Sequence, residues 1–201
     1  MSAVHKRLRL GMIGGGQGAF IGAVHRIASR IDDEYELVAG CFSSSPERGA
    51  ASAAELGVEA DRAYNSFEAM AEAEAARDDG IDAVAIVTPN HLHFPAAKPF
   101  LERGIHVICD KPLTAMLDEA KAYKAAVEQS ASIFALTHNY SGYPLIRQAR
   151  AMVESGQLGA IRVVQADYPQ DWLTKDVESE GQKQASWRTD PAQSGVGGCI
   201  G

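Results

Sequence analysis

Apolar runs and helical patterns alternate along the first two thirds of the chain. Leu8 to Ile13, Glu36 to Phe42, Ala83 to Val87, Ile105 to Cys109 and Ser132 to Leu136 read as strands, mostly apolar along their length. Helical patterns lie between them: Ala19 to Arg30, Pro46 to about Leu56, Phe67 to Arg77, Leu92 to Arg103, and one ending near Gln129. In the first helix Ile21, Val24, His25 and Ala28 share a face. Pro46 suits a first helical turn, Ser66 and Thr114 are predicted caps, and Gly104 is a stop signal. Strands apolar on both faces, separated by amphipathic helices, imply a parallel sheet covered on both sides. The predicted class is α/β, a doubly wound Rossmann sheet.

The strand–helix rhythm stops near Thr137. A helix over Tyr143 to Glu154, turns at Gly156 and Gly159, and an alternating strand from Ile161 to Tyr168 follow. From Pro169 to Gly201 the text is polar, ending in the glycine-rich run Ser194 to Gly201. The chain is therefore expected to divide into a Rossmann domain over residues 1–137 and an α+β domain over 138–201. A lone strand cannot satisfy its own backbone, so the second domain is expected to be an incomplete start.

Composition narrows the partners. The chain has 201 residues, 46% hydrophobic and 22% charged, which suits a globular protein with a core. A net charge of -7 disfavours general nucleic-acid binding, which demands a positive face. An anionic cofactor is still allowed, because phosphate sites are built from local backbone dipoles. No apolar run is long enough for a membrane span. The basic start (His5, Lys6, Arg7, Arg9) runs into glycines rather than a signal-peptide core. Cys41, Cys109 and Cys199 follow no metal-ligand spacing and read as small core residues. A cytoplasmic location is expected.

Four segments carry chemistry. Gly14-Gly15-Gly16-Gln17-Gly18-Ala19 is a G-x-G-x-x-A pattern after a strand and before a helix. There Gly14 permits the turn, Gly16 lets a pyrophosphate approach, and Ala19 is small enough for the helix to pack on the strand. At the second strand's tip Ser43, Ser44 and Arg48 replace the acidic residue that favours NAD, so NADP is allowed. Helix capping by Ser44 or Ser45, with Arg48 solvated, is the alternative. Thr88-Pro89-Asn90-His91-Leu92-His93 follows a strand and should line the cofactor cleft. Asn90 and His93 are read as cofactor or substrate contacts, or Asn90 as a helix cap. His91 and His93 have no third ligand in view, and no metal is expected. Asp110-Lys111-Pro112 ends a strand, so Lys111 can donate a proton or hydrogen bond to a substrate oxygen. In isolation that tripeptide would pass for a surface turn.

Taken in order, the glycine segment, Val87-Thr88-Pro89-Asn90-His91 and Asp110-Lys111-Pro112 resemble the glucose–fructose oxidoreductase / inositol dehydrogenase / rhizopine catabolism family. The likeness continues through Asn139-Tyr140, Gly156-Gln157-Leu158-Gly159 and Trp187-Arg188. It implies an NAD- or NADP-dependent oxidoreductase of sugars, inositols or related polyols, with the second domain commonly mediating homo-oligomers. Carried over, Lys111 is catalytic and Asp110 its neighbour in the signature, in place of the family's glutamate. Thr88, Pro89, Asn90, His93 and Asn139 fall on the cofactor side; Tyr140, Trp187 and Arg188 approach substrate, unless Trp187 is a core aromatic. The family's Asp-x-Gly-x-His stretch is not in this sequence, so the chain is expected to bind dinucleotide yet turn over poorly. A non-catalytic dinucleotide sensor is the alternative.

Overall fold

The computed structural model describes residues 6–195 except 170, 172, 173, 178 and 182. Cys199 and the glycine run 196–201 lie outside the described residues.

Five strands, β1 (Leu8–Gly14), β2 (Tyr35–Cys41), β3 (Ala83–Val87), β4 (His106–Asp110) and β5 (Phe134–Thr137), form one sheet in the order β2-β1-β3-β4-β5. Every pairing is parallel. The order reverses between β1 and β3, so the chain leaves this point in both directions and opens a crevice beyond the strand ends.

Alternation within each strand feeds two cores. Leu10, Met12, Ala83, Ala85 and Val87 join Phe42 and Ala53 on one face. That face is covered by α1 (Phe20–Ile31) and α2 (Pro46–Glu55). Ile13, Val84, Ile86, Val107 and Cys109 pack on the other with Met70, Phe100 and Tyr123. These last three come from α3 (Phe67–Ala75), α4 (His93–Leu101) and α5 (Leu117–Gln129). Burial pushes the Cys41 thiol up to about 11 and the Cys109 thiol up to about 12, so both stay protonated in the core.

Of the caps expected from the sequence, those of α2 and α3 form and that of α5 does not. The hydroxyls of Ser45 and Ser66 accept from the backbone N–H groups of Arg48 and Ala69. Thr114 does not cap α5: the N-cap is Met116, and the Thr114 hydroxyl donates to the Met116 carbonyl at 2.7 Å.

After β5 come a 3-10 turn over Asn139–Gly142, α6 (Pro144–Glu154), α7 (Lys183–Arg188) and α8 (Pro191–Ser194). The strand expected over Ile161 to Tyr168 does not form. Those residues have no ladder partner among the described residues, and Val163 and Val164 are both 82% exposed. Alternating hydrophobicity needs a neighbouring strand before it becomes a strand.

Candidate functional site

At the crevice, β1 ends in Gly14, whose φ of 81° lies in the left-handed region glycine adopts freely. A Cβ on Gly16 would come within 2.7 Å of the Phe42 carbonyl oxygen and 2.8 Å of the Ser52 hydroxyl. Gly16 is thus required for the loop to seat against β2 and α2. The helix also approaches closely at Gly22, where a Cβ would meet the Gly15 Cα at 2.3 Å. Ala19 is the extended N-cap of α1 and offers no capping side chain. The first turn of α1 has no acidic residue, so its unpaired N–H groups present positive charge to the crevice.

A cavity of about 1180 Å³ runs along the strand ends. Gly14, Gly16, Gln17 and Ala19 line its centre, with Ser43, Ser44 and Arg48 toward β2. Thr88, Pro89 and Asn90 line it from β3, and Asp110 and Lys111 from β4. Asn139, Tyr140, Trp187 and Arg188 complete it from later in the chain. The structure thus brings nearly all the expected residues to one cavity. Two stand apart. Gly18 does not line it, and a Cβ there would meet nothing within 4 Å. His93 also lies outside the lining, 1% exposed, with its ring between two backbone carbonyls.

Contacts the sequence did not reveal hold these residues. Asn90 caps no helix; its buried Nδ2 donates to the Ser194 carbonyl at 3.0 Å and ties α8 to the β3 loop. Ser52 accepts from the Gln17 backbone N–H at 3.1 Å, and the Gln17 amide donates to Glu55 at 2.9 Å. The Arg26 guanidinium donates to the Gly15 carbonyl at 2.7 Å from behind the loop. Thr137 donates to Asp110 Oδ1 at 2.8 Å, and His25 Nε2 lies 3.5 Å from the same oxygen. The face of α1 that His25 shares with Ile21, Val24 and Ala28, which lines the cavity, is the one sequence signal among these; the rest are contacts between distant segments.

Electrostatics follow from that packing. Burial opposes ionisation of Asp110, yet hydrogen bonds from His25 and Thr137 outweigh it and hold the carboxyl below its ordinary range. Burial, then the nearby Arg188 charge, pulls the Lys111 ammonium below the usual lysine range, against the opposing pull of Asp110. Arg188 also stacks on Trp187, 4.7 Å from the ring centroid. No three His, Cys, Asp or Glu among the described residues are grouped to hold a metal ion.

The residues present fit a dinucleotide. The loop and the uncapped α1 start suit a pyrophosphate, and the crevice extends one way toward β2 and the other toward Lys111. A parallel sheet, a glycine turn and a strand-order reversal together define a dinucleotide-binding Rossmann protein. Residues 8–138 match the oxidoreductase family with an NAD-binding Rossmann fold, and residues 146–201 match the GFO/IDH/MocA C-terminal domain. The chain belongs to the Gfo/Idh/MocA oxidoreductase family. Among solved structures, an oxidoreductase from Sinorhizobium meliloti is 63% identical with a TM-score of 0.80, over 84% of this chain and 47% of its own. An inositol dehydrogenase homolog complexed with NAD+ from Azotobacter vinelandii is 39% identical with a TM-score of 0.88, over 96% and 49%. Levoglucosan dehydrogenase of Pseudarthrobacter phenanthrenivorans is 31% identical over 96% of this chain and 47% of that protein. The chain spans about half the length of these curated relatives. None of its described helices is long and apolar enough to cross a membrane.

Proposed function

We propose that the chain forms the cofactor-binding and proton-donating part of an NAD(P)-dependent oxidoreductase acting on a sugar, an inositol or a related polyol. The observation that carries this reading is the shared cavity: Lys111 and Asp110 lie at one end of the crevice whose centre is the glycine loop and the α1 N-terminus. A bound nicotinamide supplies or accepts the hydride. The chain's own residues do the rest. The Lys111 amine, made less basic by burial and by Arg188, polarises the reacting oxygen and passes its proton to or from it. Asp110, fixed by Thr137, keeps a compensating negative charge beside that amine. Tyr140, Trp187 and Arg188 face the substrate, while Asn139 and the Thr88-Pro89-Asn90 loop face the cofactor.

Ser43, Ser44 and Arg48 at the β2 end, with no carboxylate lining that end of the cavity, support acceptance of NADP as well as NAD. The relative solved with NAD+ and the levoglucosan dehydrogenase support the polyol class. The working protein is read as a cytoplasmic homo-oligomer divided near residues 137 and 138. The exposed apolar side chains of Leu145, Ile146, Val163 and Val164 support an association surface.

Fluorescence titration with NADH and NADPH tests the cofactor site and its preference. Lys111→Met, introduced into a form of the protein that turns over inositols or aldoses, is expected to cut turnover about 10²- to 10⁴-fold. Cofactor affinity should stay within about threefold, since only a group acting on the reacting oxygen is removed. Undiminished turnover would refute the role given to Lys111, and absence of dinucleotide binding would refute the site.

A further inference from the structure

His93 stands at the start of α4, 1% exposed, between the two loops that carry the site. Its Nδ1 lies 2.6 Å from the Pro112 carbonyl oxygen and its Nε2 3.0 Å from that of Thr88. Pro112 directly follows Lys111, and Thr88 lines the cavity. The ring therefore joins the β3 loop to the β4 loop. A neutral imidazole has one N–H and can donate to only one of these carbonyls. Burial of the ring disfavours the charged form that would serve both. The contact to Pro112 is the shorter of the two.

On the other flank of Lys111, Asp110 is tied to Thr137 at 2.8 Å. The tripeptide is thus pinned on both sides, once through a side chain and once through a backbone carbonyl. We propose that His93 is a positioning residue, whose Nδ1–H bond to the Pro112 carbonyl sets where the Lys111 amine sits in the cavity. The inference rests on the reading of Lys111 given above. Its structural content, the bond and its effect on the amine, is testable without turnover.

An asparagine amide nitrogen takes the place of Nδ1, and a glutamine amide nitrogen the place of Nε2. In protein labelled at lysine, NMR follows the Lys111 amine through its titration in His93→Asn and His93→Gln. His93→Gln is expected to move the midpoint up toward that of an ordinary lysine, as the released loop exposes the amine. His93→Asn is expected to leave it near the unsubstituted value. Unchanged midpoints in both folded variants, or an equal rise in both, would overturn the proposal in favour of simple packing. Histidine-labelled unsubstituted protein supplies a second measurement that needs no variant to fold. Its nitrogen spectrum should show the His93 proton on Nδ1, and a proton on Nε2 alone would overturn the proposal. Full activity in Lys111→Met would remove the functional reading, while these spectra would still decide the His93 bond.

Discussion

Residues 8–137 and residues 138–168 carry comparable apolar side chains and treat them in opposite ways. In the first region Leu10, Met12, Val84, Ile86 and Phe100 are sealed between sheet and helices. In the second, every residue is exposed except half-buried Met152, and Leu145 is 81% exposed. The buried polar groups divide the same way. Arg62 donates to Glu74 through two nitrogens, Tyr64 donates to it at 2.8 Å, and the Ile81 N–H donates at 3.1 Å, all in the first region. Burying a polar atom is costly unless it is hydrogen-bonded, whereas an amphipathic helix whose apolar face meets water gains little from packing. The difference teaches that the sheet region supplies its own stability, while residues 138–168 offer a surface for something else to cover.

The sharpest way to break that comparison is Glu74→Ala. It takes the shared carboxylate from the Tyr64 hydroxyl and the Ile81 N–H and leaves the Arg62 guanidinium only Asp79, through its carbonyl at 3.3 Å and its exposed carboxylate at 3.7 Å, and should cost about 3–5 kcal/mol in urea unfolding. A loss near zero would show that the sheet region does not depend on its buried polar network.

A smaller effect comes from acid. Asp82 accepts from Arg9 through both carboxylate oxygens and through the Arg9 backbone N–H, and these hydrogen bonds hold its carboxyl below the ordinary range. Asp110 is held low as well. Because both folded values are depressed, their stabilisation is complete above the unfolded value of about 3.9 and is lost as pH falls through the folded values. Urea midpoints measured from neutral pH downward should therefore decline below about pH 4, and less steeply in Asp82→Asn. Equal slopes in the two proteins would remove Asp82 from the account.

The smallest effect sharpens the other half of the comparison. Val163→Ser should change the stability of the isolated chain by less than about 0.5 kcal/mol, as for any solvated position. A cost of several times that would mean the side chain is already covered in solution.

Much of this was legible because it is local. The strand–helix rhythm is written in successive residues, and so are the Ser45 and Ser66 caps and the glycine turn after β1. The candidate site could also be read, since the crevice of a parallel sheet collects whatever follows its strands, and Thr88, Asp110 and Lys111 do so. The Ile161 to Tyr168 strand misled because its alternation satisfies a rule whose other half, a partner, lies outside the segment. Glu74 carries no local signal within its Ala/Glu-rich helix, and it is 1% exposed against Arg62.

The order of residues by itself determined the class of fold, the glycine turn after β1 and the strand ends at which the candidate site residues collect, because each depends on neighbours within a turn or two. Only the tertiary structure decided that Gly22 lets α1 approach the loop, that Asn90 holds Ser194, and that His93 spans Thr88 and Pro112. Those are contacts between segments far apart along the chain, and a hydrogen bond depends on distance in space, which the spacing of residues along the chain does not record.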